Sequence, residues 1–117
     1  RLFSIGLAAL SAVGCTSDKP LASATITQAE RAVDEAQEAG AAISAPAEFK
    51  TAQDKLKAAQ AAMAKNQHER AIRSAEQAAI DAEYARARAA NQRAKTRADE
   101  MGQYIRTLRE EIERLPQ

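Results

Sequence analysis

Apolar residues recur along most of the chain at alternating spacings of three and four, which predicts helices rather than strands. Ile26, Ala29, Val33 and Ala36 form one such stripe, and a first helix is expected from Thr27 to Ala39. "TQAE", Thr27 to Glu30, reads as a capping box: the hydroxyl satisfies a free backbone N–H and the glutamate reaches back. Gly40 is a plausible stop. "AAISAPAE" makes a short connection, with Pro46 suited to a first helical position. A second helix, about Ala47 to Lys65, carries the stripe Phe49, Ala52, Leu56, Ala59 and Met63. "KNQHER" follows, with Asn66 read as the cap of a third helix and Glu69 as its partner. So short a turn makes the second and third helices antiparallel neighbours.

The third helix, 67–115, is the long one. Its first half carries an alanine seam: Ala71, Ala75, Ala78, Ala82, Ala85 and Ala89. Alanine there lets two helix backbones approach closely. Its second half carries larger residues: Met101, Ile105, Leu108, Ile112 and Leu115, after Ala94 and Ala98. The two seams are out of phase, as when a heptad frame is interrupted. The expected fold is therefore all-α: a short antiparallel hairpin or three-helix arrangement whose long C-terminal helix extends as a coiled coil. The first two helices are too short to follow the Met101–Leu115 seam, so it calls for a partner helix, a second copy or packing within a longer chain.

Composition narrows the function. Alanine supplies most of the apolar content, aromatic residues are 3% of the chain, and tryptophan is absent. Alanine buries little area, so a deep core with a substrate pocket is not expected. Seventeen Lys and Arg against sixteen Asp and Glu leave a net charge of +1, so net charge does not itself point to a nucleic-acid or strongly anionic partner.

The N-terminus reads as an address. From Leu2 to Val13 there is no charge and mostly apolar side chains, the length of a secretory h-region and too short for a bilayer span. Arg1 alone represents the basic region expected before it, so the start of the leader is expected to be trimmed or to lie upstream. Ala12, Val13 and Gly14 place small or slim side chains before Cys15, the only cysteine. A peptidase groove needs such residues beside the scissile bond. "AVGC" resembles a bacterial lipobox, with Ala12 where leucine is commonest. The resemblance implies diacylglyceryl transfer to the Cys15 thiol, cleavage between Gly14 and Cys15, and acylation of the new amino group with a chain such as palmitate. Several acyl chains anchor stably where one is marginal. Thr16 and Ser17 follow instead of an aspartate, so outer-membrane sorting, facing the periplasm, is the implied default. The segments expected are a signal peptide over 1–14, a lipidated cysteine with a flexible tether over 15–25, and a helical domain over 26–117.

No motif brings catalytic groups together. His68 is the only histidine and reads as a surface residue at a helix start. No metal constellation or phosphate loop appears, so neither cofactor nor enzymatic activity is expected. Arg86, Arg88, Arg93, Lys95 and Arg97 come without an acidic residue among them. Arg86, Arg93 and Arg97 fall near one face and are candidates for contact with an anionic surface such as headgroups or the cell-wall polymer. Nucleic acid is disfavoured, because aromatics are not interleaved with these bases.

"EFKTAQDKLKAAQAAMAKNQHERAIRSAEQAAIDAEYARARA", Glu48 to Ala89, resembles the domain of unknown function 4398 family. These are alanine-rich helical lipoproteins of the bacterial envelope, sometimes followed by an OmpA-like peptidoglycan-binding domain. The turn and "ERAI" also resemble one tetratricopeptide-style helical pair. The family carries no established reaction. The resemblance implies a lipid-anchored structural or adaptor module. The alternative is a self-assembling coiled-coil spacer linking outer membrane and cell wall.

Overall fold

A computed structural model describes residues 18–116. Four helices follow one another: α1 (Lys19–Glu38), α2 (Ala41–Ser44), α3 (Pro46–Ala64) and α4 (His68–Arg114). No strand occurs among the described residues, and the fold is all-α as the periodicity predicts. α1 and α3 each pack along α4 more than against each other. Ala22, Ile26 and Ala29 of α1 meet Ala71, Ala75 and Ala78 of α4, while Val33 and Ala36 meet Ala82, Ala85 and Ala89. α1 and α4 therefore run parallel, and α3 runs antiparallel to both.

α1 begins eight residues before the expected Thr27, which corrects the reading of 15–25 as a tether: Lys19 to Thr25 are helical. Pro20 lies in the first turn, where its missing N–H costs nothing. Ala22 is fully buried and extends the Ile26–Ala29 stripe back by one turn. The capping box does not form. Thr27 lies inside the helix and its hydroxyl donates to the Ser23 carbonyl at 3.0 Å.

The stops are local. Gly40 takes φ +78°, which glycine adopts without a Cβ penalty, and its N–H donates to the Gln37 carbonyl at 2.9 Å. The single turn of α2 then ends at Ala45, which leaves the helical region at φ −146°, ψ 56° ahead of Pro46. At the end of α3 the chain corrects a second expectation. Asn66 closes α3 rather than capping α4: it takes φ +58°, its N–H donates to Met63 at 3.0 Å, and the Gln67 N–H reaches Ala62 at 2.9 Å. That is a Schellman closure with asparagine in place of glycine.

The core is thin. Fourteen of the seventeen buried apolar residues are alanine, so the helices are held by close backbone approach more than by side-chain volume. Ile26, Val33 and Phe49 are the only larger buried residues among those described. On the second stripe Phe49, Ala52 and Ala59 are buried, whereas Leu56 and Met63 are only partly covered. All six residues of the α4 alanine seam have no exposure. Polar pairs rim the contacts: Gln60 donates to Glu30 at 2.9 Å, and Lys55 Nζ lies 2.5 Å from Asp81 Oδ2. The exposed Gln60–Glu30 pair contributes at most about 1 kcal/mol, whereas Asp81 is only partly exposed and its Oδ2 is buried.

α4 runs 47 residues without a break, through Gly102, over roughly 70 Å. Only its first half is covered. The last buried residue is Ala89; Arg93 still reaches the end of α1, and past the cleft beside Ser44 the helix projects from the bundle.

Candidate interaction surface

The projecting half of α4 carries the largest apolar exposure of the described chain. Met101 is 59% exposed, Ile105 43%, Leu108 38%, Ile112 66% and Leu115 65%. Spacings of four and three set them in one line, and neither α1 nor α3 reaches them. Helical rigidity fixes their relative positions, so they form a preformed ridge.

Ile80 and Tyr84 are exposed as well, at 65% and 53%. They stand on the covered half of α4, yet on the side away from its alanine seam. Periodicity alone drew attention to the seam and passed over these two, because alanine and polar residues separate them from Met101.

The basic residues divide. Arg86 Nη1 donates to Glu35 at 2.6 Å, Arg88 Nε stands 3.3 Å from Glu48 Oε1, and Arg93 Nη1 donates to the Ala39 carbonyl at the end of α1. Arg86 and Arg93 are thus engaged in fastening α4 to α1. Arg97 lines a shallow cleft with Ser44, Thr96 and Glu100. The three do not converge on one open cationic face. Sequence could not show this, since it does not reveal which acidic residue a neighbouring helix brings alongside.

His68 is the first residue of α4, with Nδ1 buried and lacking a hydrogen-bond partner among the described residues. Asp18, Asn66, Gln67, Glu69 and Arg70 line the open cleft beside it. Among the described residues no group of three acidic, histidine or cysteine side chains is placed to hold a metal ion. One carboxyl is shifted: the Lys50 ammonium, 2.8 Å away on the next turn, holds Asp54 below the usual carboxylate range. No helix among the described residues is long and apolar enough to cross a membrane. Residues 1–17, among them the expected leader segment with Gly14 and Cys15, lie outside the described residues.

The described bundle matches a family model over residues 24–101. The match takes in most of α1, all of α2 and α3 and most of α4, and it stops at Met101, before Ile105 to Leu115. No curated protein and no solved structure matches the chain. With two thirds of its residues matched, the chain belongs to the family described as a domain of unknown function (DUF4398).

Proposed function

We propose that this protein is a lipid-anchored, non-enzymatic helical module of the bacterial envelope, a structural or adaptor protein that presents α4 to a helical partner. The observation that carries the reading is the polarity of the bundle. α1 starts at Lys19, four residues after Cys15, and at the end of the bundle where the α3–α4 turn lies. Four residues span at most about 14 Å. Acyl chains on Cys15 would therefore hold that end of the bundle close to the membrane. α4 runs parallel to α1, so it leads away from that surface. The Met101–Leu115 seam would then stand roughly 50–70 Å from the membrane-proximal end.

Multiple acyl chains give stable anchoring. An alanine-packed bundle gives a rigid base, and the uninterrupted helix gives reach. Nothing in this mechanism requires a reaction. Labelling cells with radioactive palmitate tests the anchor: label on the wild type and none on Cys15→Ala is expected, and equal labelling of both would sink it. Membrane fractionation of the same pair, with inner and outer membranes separated, tests the proposed outer-membrane location.

A second reading, a self-assembling spacer between outer membrane and cell wall, is favoured by the heptad spacing of the exposed seam. In that reading the partner of α4 is another copy. Contact with the cell-wall polymer would then fall to residues other than Arg86 and Arg93, which are engaged within the bundle.

A further inference from the structure

The large exposed apolar residues of the α4 region fall at a and d of one heptad frame, apart from Tyr104 at g. With Ile105 and Ile112 at position a and Leu108 and Leu115 at d, the frame runs back through Met101, Ala98, Ala94, Asn91 and Ala87 to Tyr84 at a and Ile80 at d. Every one of these residues is exposed. The buried alanines, from Ala71 to Ala89, occupy b and f of the same frame, on the far side of the helix. The two seams are therefore not halves of an interrupted pattern. They are two faces of one helix, overlapping between Ile80 and Ala89. Beyond Ala89 the b and f positions, Gln92 through Glu113, are all polar. The inner face turns polar where α1 and α3 end, while the outer face stays uncharged and gains volume.

We infer that α4 pairs with α4 of a second copy of this chain in a parallel, in-register, two-stranded coiled coil from Ile80 to Leu115. The inference rests on the reading of α4 as the interaction surface; it does not require the lipid anchor. Four observations select this occupant. β-Branched residues at a with leucine at d favour two parallel strands over three or four. Asn91 falls at a, the place where one polar residue fixes register and strand number. In a parallel pair each g residue faces the e residue five positions on in the partner. Glu83 then meets Arg88, which also stands beside Glu48 of its own chain, and no like charges meet at Ala90–Lys95, Arg97–Gly102, Tyr104–Arg109 or Glu111–Pro116. Finally, the frame lasts five heptads, more than the three to four that sustain a coiled coil. Two bundles fit because α1 and α3 cover the b and f side and leave a and d open.

The test uses the full 117-residue chain carrying Cys15→Ser, so that cysteines can be placed at will. Sedimentation equilibrium is expected to give twice the 12.6 kDa chain mass. Under mild oxidation Ala98→Cys, at a, is expected to cross-link to itself and Gln103→Cys, at f, is not. Ile105→Asp with Ile112→Asp should give a monomer, while amide protection of Ala75 to Ala85 in the bundle persists. Asn91→Ile should broaden the dimer into a mixture of strand numbers. A monomer at all concentrations, a trimer, or cross-linking of Ala98→Cys with Leu115→Cys would overturn the proposal; the last would show an antiparallel pair. A monomer of a chain whose wild type takes up palmitate would overturn the pairing and leave the anchor standing. A dimer of an unlabelled chain would do the reverse.

Discussion

Phe49→Ala is the sharpest test of how the bundle is held. Phe49 is 5% exposed and packs with Val33, Ala36, Ala52 and three alanines of α4. A phenylalanine buries roughly 150–250 Å². At ~25 cal/mol per Å² that corresponds to ~4–6 kcal/mol gross. Alanine retains part of this area, and the cavity left behind adds a cost, which brings the expected loss to about 3–5 kcal/mol. A chain of this length has a total stability of about 5–15 kcal/mol. Fourteen of seventeen buried apolar residues are alanine, so few other side chains can compensate. The loss should therefore remove between about a fifth and all of the stability. Ile43→Ala, at a side chain 88% exposed, serves as the control and should change stability by less than about 0.5 kcal/mol. Urea unfolding followed by circular dichroism measures both, at one chain concentration because association also stabilises. A loss under ~1 kcal/mol for Phe49→Ala, or one equal to that of Ile43→Ala, would show that close backbone approach holds the bundle without the volume of Phe49, and would refute this reasoning.

Three further outcomes follow from the same geometry. Ala82→Leu forces side-chain volume into a fully covered position between α4 and its neighbours and should cost about 1–3 kcal/mol; an unchanged melting temperature would contradict the close packing. Gly102→Ala should stabilise α4 by about 0.5–1 kcal/mol, since a Cβ there meets only the Arg106 side chain at 3.6 Å; slower amide exchange around residue 102 would report it, and faster exchange would count against it. Lys50→Gln should raise the Asp54 midpoint towards the ordinary carboxylate value, read by NMR titration. The Asp54 carboxyl is held low in the folded chain, so its small contribution is present above the unfolded value and is lost as pH falls through the folded one; an unmoved midpoint would remove Lys50 as the cause.

Much of the bundle was legible because its signals are periodic. The Ile26–Ala36 stripe, the six-alanine seam and the Gly40 stop read directly from spacing and backbone preference. The start of α1 did not. Thr27 and Glu30 make a sound local cap, but Ala22 gains more by packing under Ala59, Ala62 and Ala71, and an alanine in a polar stretch carries no visible apolar signal. Asn66 has the same ambiguity: asparagine suits both the start of one helix and the left-handed end of another, and the Met63 and Ala62 carbonyls decide it. The exposed seam was legible from Met101 onward, where the side chains are large. Its continuation to Ile80 was not, because small and polar residues interrupt it, and only the covering of the b and f face shows that Ile80 and Tyr84 are left outside.

The covering of α4 also bears on how the base and the projecting helix depend on each other. Isolated helices are marginal in water unless an apolar face is packed. Residues 69–89 satisfy that requirement within the chain, but residues 94–115 do not. The free half is nucleated by the covered half, with which it shares a continuous hydrogen-bond ladder, and it contributes little to the stability of the base. Bundle and projection are thus coupled in one direction. Loosening the base at Phe49 should fray the projection, whereas disrupting Ile105 and Ile112 should leave the base folded. A partner that covers the a and d face would close the circuit, since it touches Ile80 and Tyr84 on the base as well as the seam beyond it. Binding along that whole line should therefore protect amides in α1 and α3 that no partner touches. Protection confined to residues beyond Ala89 would show that the two halves of α4 act separately.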